Sequence, residues 1–276
     1  MAPDDSAEAI EIRLVLEAIH ARYGYDFRGY AADSIARRVK ATLAKSGFAH
    51  LGELQHRLLT EPSLFKTIME GLTVQVSGMF RTPAFYRAFR NNVVPILRTY
   101  PRLKIWHAGC ATGEEVYATA IVLAEEGLLA RTQIYATDIS EAALEHAREG
   151  VYSNEVLEEA IVRYSEAGGT GTFEQYCARG YGRVAMRQDL RRNAVFFRHD
   201  LVNDYSLGEM NVVFCRNVMI YFGVNLRERV LDMFARDLAQ GGFLCLGASE
   251  GLPASKVPAF GPFAPSERIY RHRGES

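Results

Sequence analysis

Charge of one sign is the first thing this sequence lacks. Its 276 residues carry 32 basic and 33 acidic side chains, a net charge of −1, which argues against a broad polyanion-binding surface and a nucleic-acid partner. Long apolar runs are missing too. None approaches the roughly 20 residues needed to span a bilayer, so no direct membrane insertion is expected. Residues 1–13, MAPDDSAEAIEIR, are acidic, unlike the basic-then-apolar pattern of a signal peptide, so a cytoplasmic protein is expected. Cysteine is scarce: Cys110, Cys177, Cys215 and Cys245 form no CxxC pair and have no histidines at metal-ligand spacing. Three of them fall in or beside apolar runs, where a thiol acts as a small hydrophobe. The seven histidines are scattered, so no metal site is expected. Internal repeats and low-complexity tracts are absent as well.

What is present is an ordinary globular composition, 48% hydrophobic and 24% charged, on a chain long enough for one large domain or two modest ones. The chain is organised around residues 103–138, LKIWHAGCATGEEVYATAIVLAEEGLLARTQIYATD. An apolar run over 103–108 meets a glycine-bearing turn over 109–113. A helical pattern follows, then a second apolar run over 133–137 that stops on Asp138. Strand, turn, helix, strand and carboxylate make half of a nucleotide-binding sheet, with the acid where a ribose hydroxyl is held. Gly109 and Gly113 allow a sharp turn and close approach of a ligand. Asp138 follows Gly113 by 25 residues, near the spacing such sites show. The turn is not GxGxxG, and Glu114 and Glu115 open its helix. Acids there suit the helix dipole but repel a phosphate. A cationic ligand bearing a ribose fits better than a dinucleotide, and S-adenosylmethionine is such a ligand. The plainer alternative is a structural turn, with Asp138 capping the helix that begins near Ser140.

Upstream, residues 7–72 read as short helices. Ile12, Val15, Leu16 and Ile19 recur at helical spacing. A second helix turns Ile35, Val39 and Leu43 inward, which sets Arg37, Arg38, Lys40 and Lys45 on the other side as a basic arc. That arc is either a solvated face or a docking surface for an acidic partner. Two more helices are expected over 51–59 and 63–72. Residues 72–89, LTVQVSGMFRTPAFYRAF, begin β-prone and end as an aromatic helix starting at Thr82-Pro83. Gln75, Ser77 and Arg81 are polar groups in this apolar stretch, and Arg81 sits where a helix dipole disfavours a cation.

Beyond Asp138, a helix over 141–149 leads into a glycine-rich, aromatic and basic segment, about 152–193, that interrupts the strand–helix rhythm as an insertion. The rhythm resumes with a strand over 195–198 ending at His199, Asp200 and Leu201. A strand over 211–215 then ends at Arg216, Asn217 and Val218. An amphipathic helix over 226–240, ended by Gly241-Gly242, precedes strands over 243–246 and about 268–271. Asp138, Asp200, Asn217 and the glycine turn thus share the carboxyl edge of one sheet, where open α/β sheets bind ligands.

FCRNVMIYF (residues 214–222), HAGCATGEEVYA, YATDIS and LTVQVSGMFRTPAFY occur in an order and spacing similar to those of the chemotaxis receptor protein-glutamate methyltransferase family, CheR. The resemblance runs from about Ile12 to the end. It implies a small all-α N-terminal domain over 1–90, for receptor docking and as a cofactor lid. It implies an α/β methyltransferase domain over 91–276 of the class I, Rossmann-like, S-adenosylmethionine-dependent type, with an inserted β-subdomain. The resemblance assigns Gln75, Ser77 and Arg81 to the segment closing over the cofactor. Glu115 and Asp138 take its amino acid and ribose ends, Gly109 lies in the turn beneath it, Asp200 and Leu201 flank adenine, and Asn217 and Val218 complete the pocket. Gln75 and Asp200 each stand where the family has Asn, and Asp200 thereby loses an amide donor.

The implied reaction methylates glutamates of chemoreceptors for sensory adaptation, giving γ-methyl esters and S-adenosylhomocysteine. Arg81 is the candidate for gripping the substrate carboxylate, or equally that of the cofactor. Tyr221 either lines the methyl-transfer pocket or packs in the core. Arg37, Arg38 and Lys45 are candidates for steering the acidic methylation helices of the receptor, and a monomer is expected. In some family members the inserted subdomain binds a receptor's C-terminal peptide by strand addition. Here AGGTGTFEQYCARGYGR departs from that glycine pattern, and a peptide-independent enzyme is expected. A catalytically weak, cofactor-binding signalling module is the alternative.

Overall fold

The computed structural model describes residues 6–73 and 77–274. The chain divides into two compact units. One comprises Met1–Val74, Val202–Asp204 and Tyr221–Val230, and the other Gln75–Leu201, Tyr205–Ile220 and Leu231–Ser276.

The first unit is built on α1 (Ala7–Tyr23), α2 (Ala32–Ser46), α3 (Leu51–Thr60) and α4 (Leu64–Leu72). The Ser6 hydroxyl accepts from the Ala9 amide at 3.3 Å to start α1, and Gly24 ends it in the left-handed region. Ile12, Val15, Leu16 and Ile19 are all buried, the face their spacing predicts. In α2, Ile35 and Val39 are buried but Leu43 only half so. Gly71 of α4 meets Thr42 of α2 so closely that a Cβ would overlap the threonine side chain.

The basic arc of α2 needs a correction at Arg38. Arg37 and Lys45 are exposed, and Lys40 pairs with Glu8 at 2.6 Å. Arg38 is buried instead. Its Nη1 donates to the Leu72 carbonyl at 2.8 Å, at the end of α4, and its guanidinium lies over the Tyr221 ring, 4.0 Å from the centroid. Last-turn carbonyls want a cationic donor, and the aromatic face offers a second attraction, so this arginine serves the interior of its own unit.

The second unit opens with α5 (Pro83–Ala88), a π-helical turn (Phe89–Val93) and α6 (Val94–Leu97). There follow β1 (Leu103–Ala108), α7 (Glu114–Glu125), β2 (Thr132–Asp138) and α8 (Glu141–Glu149), then the insertion: β3 (Val151–Ser153), α9 (Asn154–Glu166), β4 (Cys177–Gly180), β5 (Arg183–Met186) and α10 (Gln188–Arg191). The main sheet resumes with β6 (Ala194–Arg198) and β7 (Met210–Cys215). Next come α11 (Val224–Asp237), whose first residues are grouped with the helical unit, β8 (Leu238–Leu246), β9 (Phe260–Ala264) and β10 (Ile269–His272). Seven strands form one sheet in the order β6-β2-β1-β7-β8-β10-β9, parallel from β6 to β8, with β10 antiparallel to both its neighbours. The insertion makes its own antiparallel sheet, β3-β5-β4.

Burial on both faces explains the near-continuous apolar reading of β1 and β7. Within that layer, Trp106 donates its indole N–H to the Thr137 hydroxyl at 2.8 Å. The insertion is tied down by Glu125 at the end of α7, which accepts from Tyr164, from Tyr176 at 2.9 Å and from the Thr170 amide at 3.2 Å, and pairs with Arg90.

Several sequence expectations shift. The boundary between units falls after Val74 rather than at residue 90, because Phe85, Tyr86, Phe89 and Val93 belong to the apolar cluster of the sheet. The β-prone start of residues 72–89 lies largely outside the described residues; residues 77–82, before α5, have no regular secondary structure, with Phe80 and Thr82 at positive φ. The helix expected to reach residue 240 stops at Asp237, and Gly241 and Gly242 lie inside β8. A Cβ on Gly242 would come within 2.9 Å of the Ala239 carbonyl and 3.0 Å of that of Asn211, so glycine permits the close crossing beside an irregular register. Strand β9 was not anticipated. It contains Pro262, which a sheet tolerates at an edge such as the one β9 occupies.

Candidate active site

The carboxyl ends of β1, β2, β6 and β7 meet around the Gly109–Gly113 turn. Gly109 and Cys110 both donate to the Thr137 carbonyl at 2.8 Å, fastening the turn to the end of β2. Asp138 then bridges two segments: Oδ2 accepts from the Ala111 amide and Oδ1 from the Ser140 amide, each at 2.9 Å. The Ser140 hydroxyl caps α8 in turn, accepting from Ala143. The cap of α8 is therefore Ser140 and not Asp138, whose two oxygens tie the segment before α8 to the glycine turn. Burial pushes the Asp138 carboxyl above its ordinary range, against the Ser140 and Ala111 amides that hold it down.

From β6 the chain continues into His199, whose amide donates to the Asp138 carbonyl at 3.1 Å and whose ring meets Trp106 edge-on, and then into buried Asp200 and half-buried Leu201. From β7 it continues into Arg216, Asn217 and Val218. A Cβ on Gly109 would overlap the Val218 side chain, so the turn and the segment after β7 touch directly.

Glu115, on the first turn of α7, is the centre of a buried ionic group. Its Oε2 lies 2.8 Å from Arg216 Nη1 and its Oε1 3.1 Å from His107 Nδ1. Burial raises the Glu115 carboxyl, but the His107 hydrogen bond and the Arg216 charge outweigh it and hold the group below its usual range. The Arg216 guanidinium also lies 4.0 Å from the Phe85 ring centroid and donates to the Arg81 carbonyl at 3.4 Å. The His107 ring stacks on Phe214 with centroids 4.5 Å apart. Beside it, Glu114 is buried, takes the Thr112 hydroxyl at 2.7 Å and is hydrogen-bonded by Ser77.

Ser77, Arg81, Gly109, Glu115, Asp138, Asp200, Leu201, Asn217 and Val218 all belong to this one unit. The contacts above join Ser77 to Glu114, Arg81 to Arg216, and Gly109 to Val218. Arg81 is exposed. Gln75 lies outside the described residues. Tyr221 belongs to the helical unit, where its carbonyl accepts from Ala31 at 2.9 Å and its ring carries Arg38. Sequence reasoning missed three partners: His107, Arg216 and Glu250, a buried acid that accepts from the Asn217 and Val218 amides. Arg216 stands between an apolar strand and Asn217, and Glu250 just past the next strand. A charge in such a place is the signal that was there to be read.

Non-glycine residues at positive φ gather here too: Phe80, Thr82, Ala111 and Asn217, at +52°, +64°, +47° and +62°. Backbone of this kind persists only where its surroundings hold it, and it concentrates at functional sites. Among the described residues, no three His, Cys, Asp or Glu side chains cluster so as to hold a metal ion, and no helix is long and apolar enough to cross a membrane.

The chain matches two family models: "CheR methyltransferase, SAM binding domain" over residues 75–263 and "CheR methyltransferase, all-alpha domain" over residues 10–73. It is 45% identical over 263 residues to a Pseudomonas putida protein provisionally named methyltransferase Cher3, covering 95% of this chain and 96% of that one. It is 31% identical over 234 residues to chemotaxis protein methyltransferase 1 of Pseudomonas aeruginosa, covering 79% and 81%. The chemotaxis protein methyltransferase 1 of Vibrio cholerae is 30% identical over 233 residues, covering 79% and 80%.

Proposed function

From a chain that belongs to the CheR methyltransferase family, we propose an S-adenosylmethionine-dependent protein-glutamate O-methyltransferase that esterifies glutamates on the methylation helices of chemoreceptors. One observation carries the reading: a glycine turn at the carboxyl edge of the sheet is held by Asp138, through the Ala111 amide, and by Glu114, through the Thr112 hydroxyl. Carboxylates around such a turn repel phosphate and favour a cation that also bears a ribose.

The residues present fit S-adenosylmethionine. Gly109 and Gly113, both at positive φ, let the turn pack closely on its own scaffold, where a Cβ would strike Val218 and Ala147 respectively. Asp138 would hold the ribose hydroxyls, Glu115 the ammonium end, Asp200 and Leu201 the adenine side, and Ser77, Asn217 and Val218 the remaining walls. When bound, this cofactor supplies an electrophilic methyl: a bond forms from a glutamate oxygen to the methyl carbon as the sulfur–carbon bond breaks, leaving a neutral thioether.

The substrate carboxylate is ionised near neutral pH, so the chain need supply no general base. Its work is positioning, with oxygen and methyl carbon held about 3–3.5 Å apart and in line. Arg81, exposed beside Arg216 and Glu115, would grip the incoming carboxylate or that of the cofactor.

Calorimetry with S-adenosylhomocysteine tests the pocket. Wild type binds in the micromolar range, ATP does not bind, and Asp138→Ala weakens binding tenfold or more, about 1.4 kcal/mol. Failure of wild type to bind would sink the methyltransferase reading. Binding without methyl transfer to receptor helices would favour the weakly catalytic module. On α2, exposed Arg37 and Lys45 remain as candidates for meeting an acidic helix. The double charge reversal Arg37→Glu/Lys45→Glu raises KM for a receptor methylation helix about tenfold at low salt and leaves kcat unchanged. An unchanged KM would remove α2 from substrate recognition.

A further inference from the structure

The segment after β7 is shaped by an acid that touches no expected ligand. Glu250, buried in the loop after β8, spends both carboxylate oxygens on main-chain amides. Oε2 accepts from Asn217 at 2.8 Å and Gly247 at 2.6 Å, and Oε1 from Val218 at 3.0 Å and Ile220 at 3.2 Å. Four N–H donors around one carboxylate satisfy its charge without a cationic side chain. They also draw three amides of one short segment towards a single point. Asn217 sits within that segment at φ +62°, a conformation that needs such support. Gly247 leaves room for the arrangement: a Cβ there would come within 2.7 Å of Glu250 Oε2 and 2.8 Å of the Asn217 nitrogen. On its far side the same segment presses Val218 against Gly109, in the turn under the pocket.

We propose that Glu250 is a positioning residue that presets the Asn217 and Val218 wall of the cofactor pocket before the cofactor arrives. This rests on the methyltransferase reading and deepens it, since Glu250 acts only through the backbone of the wall. An isosteric Gln at 250 would keep one acceptor and turn an N–H group towards amides that already donate, so that side of the wall is released.

The test compares Glu250→Gln with Glu125→Gln. Glu125 is a multiply hydrogen-bonded carboxylate of the same unit, its side chain 3% exposed, engaged with the insertion. Both variants are expected to lower the melting temperature. Only Glu250→Gln is expected to weaken S-adenosylhomocysteine binding, by tenfold or more at a temperature where both are folded; Glu125→Gln stays within twofold of wild type. Glu250→Gln binding within twofold of wild type overturns the proposal. So does an equal loss in Glu125→Gln, which would mark a merely structural effect. Should Glu250→Gln fail to fold, amide exchange in ligand-free wild type decides: the Asn217 and Val218 amides are protected if the wall is preset, and fast exchange overturns it. Wild type that binds no S-adenosylhomocysteine overturns the underlying reading, and this inference with it, before any variant is compared.

Discussion

Replacing Arg216 with methionine is expected to lower the unfolding free energy by about 3–5 kcal/mol, the cost of leaving a buried charge without its partner. Arg216 and Glu115 side chains retain only 3% and 17% of their exposure, and their closest atoms are 2.8 Å apart. Methionine keeps most of the packing on Phe85 but strands Glu115 with His107 alone. The penalty depends on pH in a definite direction. Glu115 is held below the 4.5 of a free glutamate, so the stability drawn from its ionised form is complete above that value and is lost as pH falls through the lower folded value. The gap between wild type and Arg216→Met is therefore full at pH 7 and narrows in acid below pH 4.5. Adding Glu115→Gln removes the stranded charge and recovers part of the loss. Urea denaturation of the four proteins as a double-mutant cycle measures this. A loss under about 1 kcal/mol, or a double variant no more stable than the single one, would show that the pair does not matter in this way.

Gly113→Ala should lower the melting temperature by roughly 10 °C, from about 2–5 kcal/mol at roughly 2–4 °C per kcal/mol. Two costs add. At φ +91° an alanine pays about 1–2 kcal/mol for the left-handed region. Its Cβ would also lie 2.8 Å from the Ala147 Cβ and 3.1 Å from the Ala147 Cα, forcing α7 and α8 apart at a further cost of about 1–3 kcal/mol. Gly127→Ala is the comparison: φ is +67° there too, but nothing lies within 4 Å of an added Cβ. If calorimetric scans show the two variants melting within about 3 °C of each other, the close approach of α8 carries no energy of its own.

The comparison of these two glycines also shows how far a sequence can be read. Both look alike in the chain, and only the neighbour that folding brings to Gly113 separates them. Where the deciding contacts are local, the reading succeeds. The bounds of α8, the buried face of α1 and the strand–turn–helix–strand order of residues 103–138 follow from apolar spacing, a Ser cap and glycine, all within a few residues. The family motifs, being contiguous, are legible for the same reason.

Side chains whose partners lie far along the chain were read wrongly or passed over. Arg38 shared a helical repeat with solvent-facing cations, yet its hydrogen bond spans 34 positions to Leu72. Strand β9, with Pro262 in it, was passed over, and it lies at the sheet edge where a proline is tolerated. Arg216 meets Glu115 across 101 positions, and Glu250 meets Asn217 across 33. By itself, then, the sequence determined the family and most of the elements in their order, though not β9 or the end of α11, because periodicity, capping and motif are short-range. Only the tertiary structure decided which charges are buried and what each one holds, because desolvation is a property of the neighbours that folding supplies.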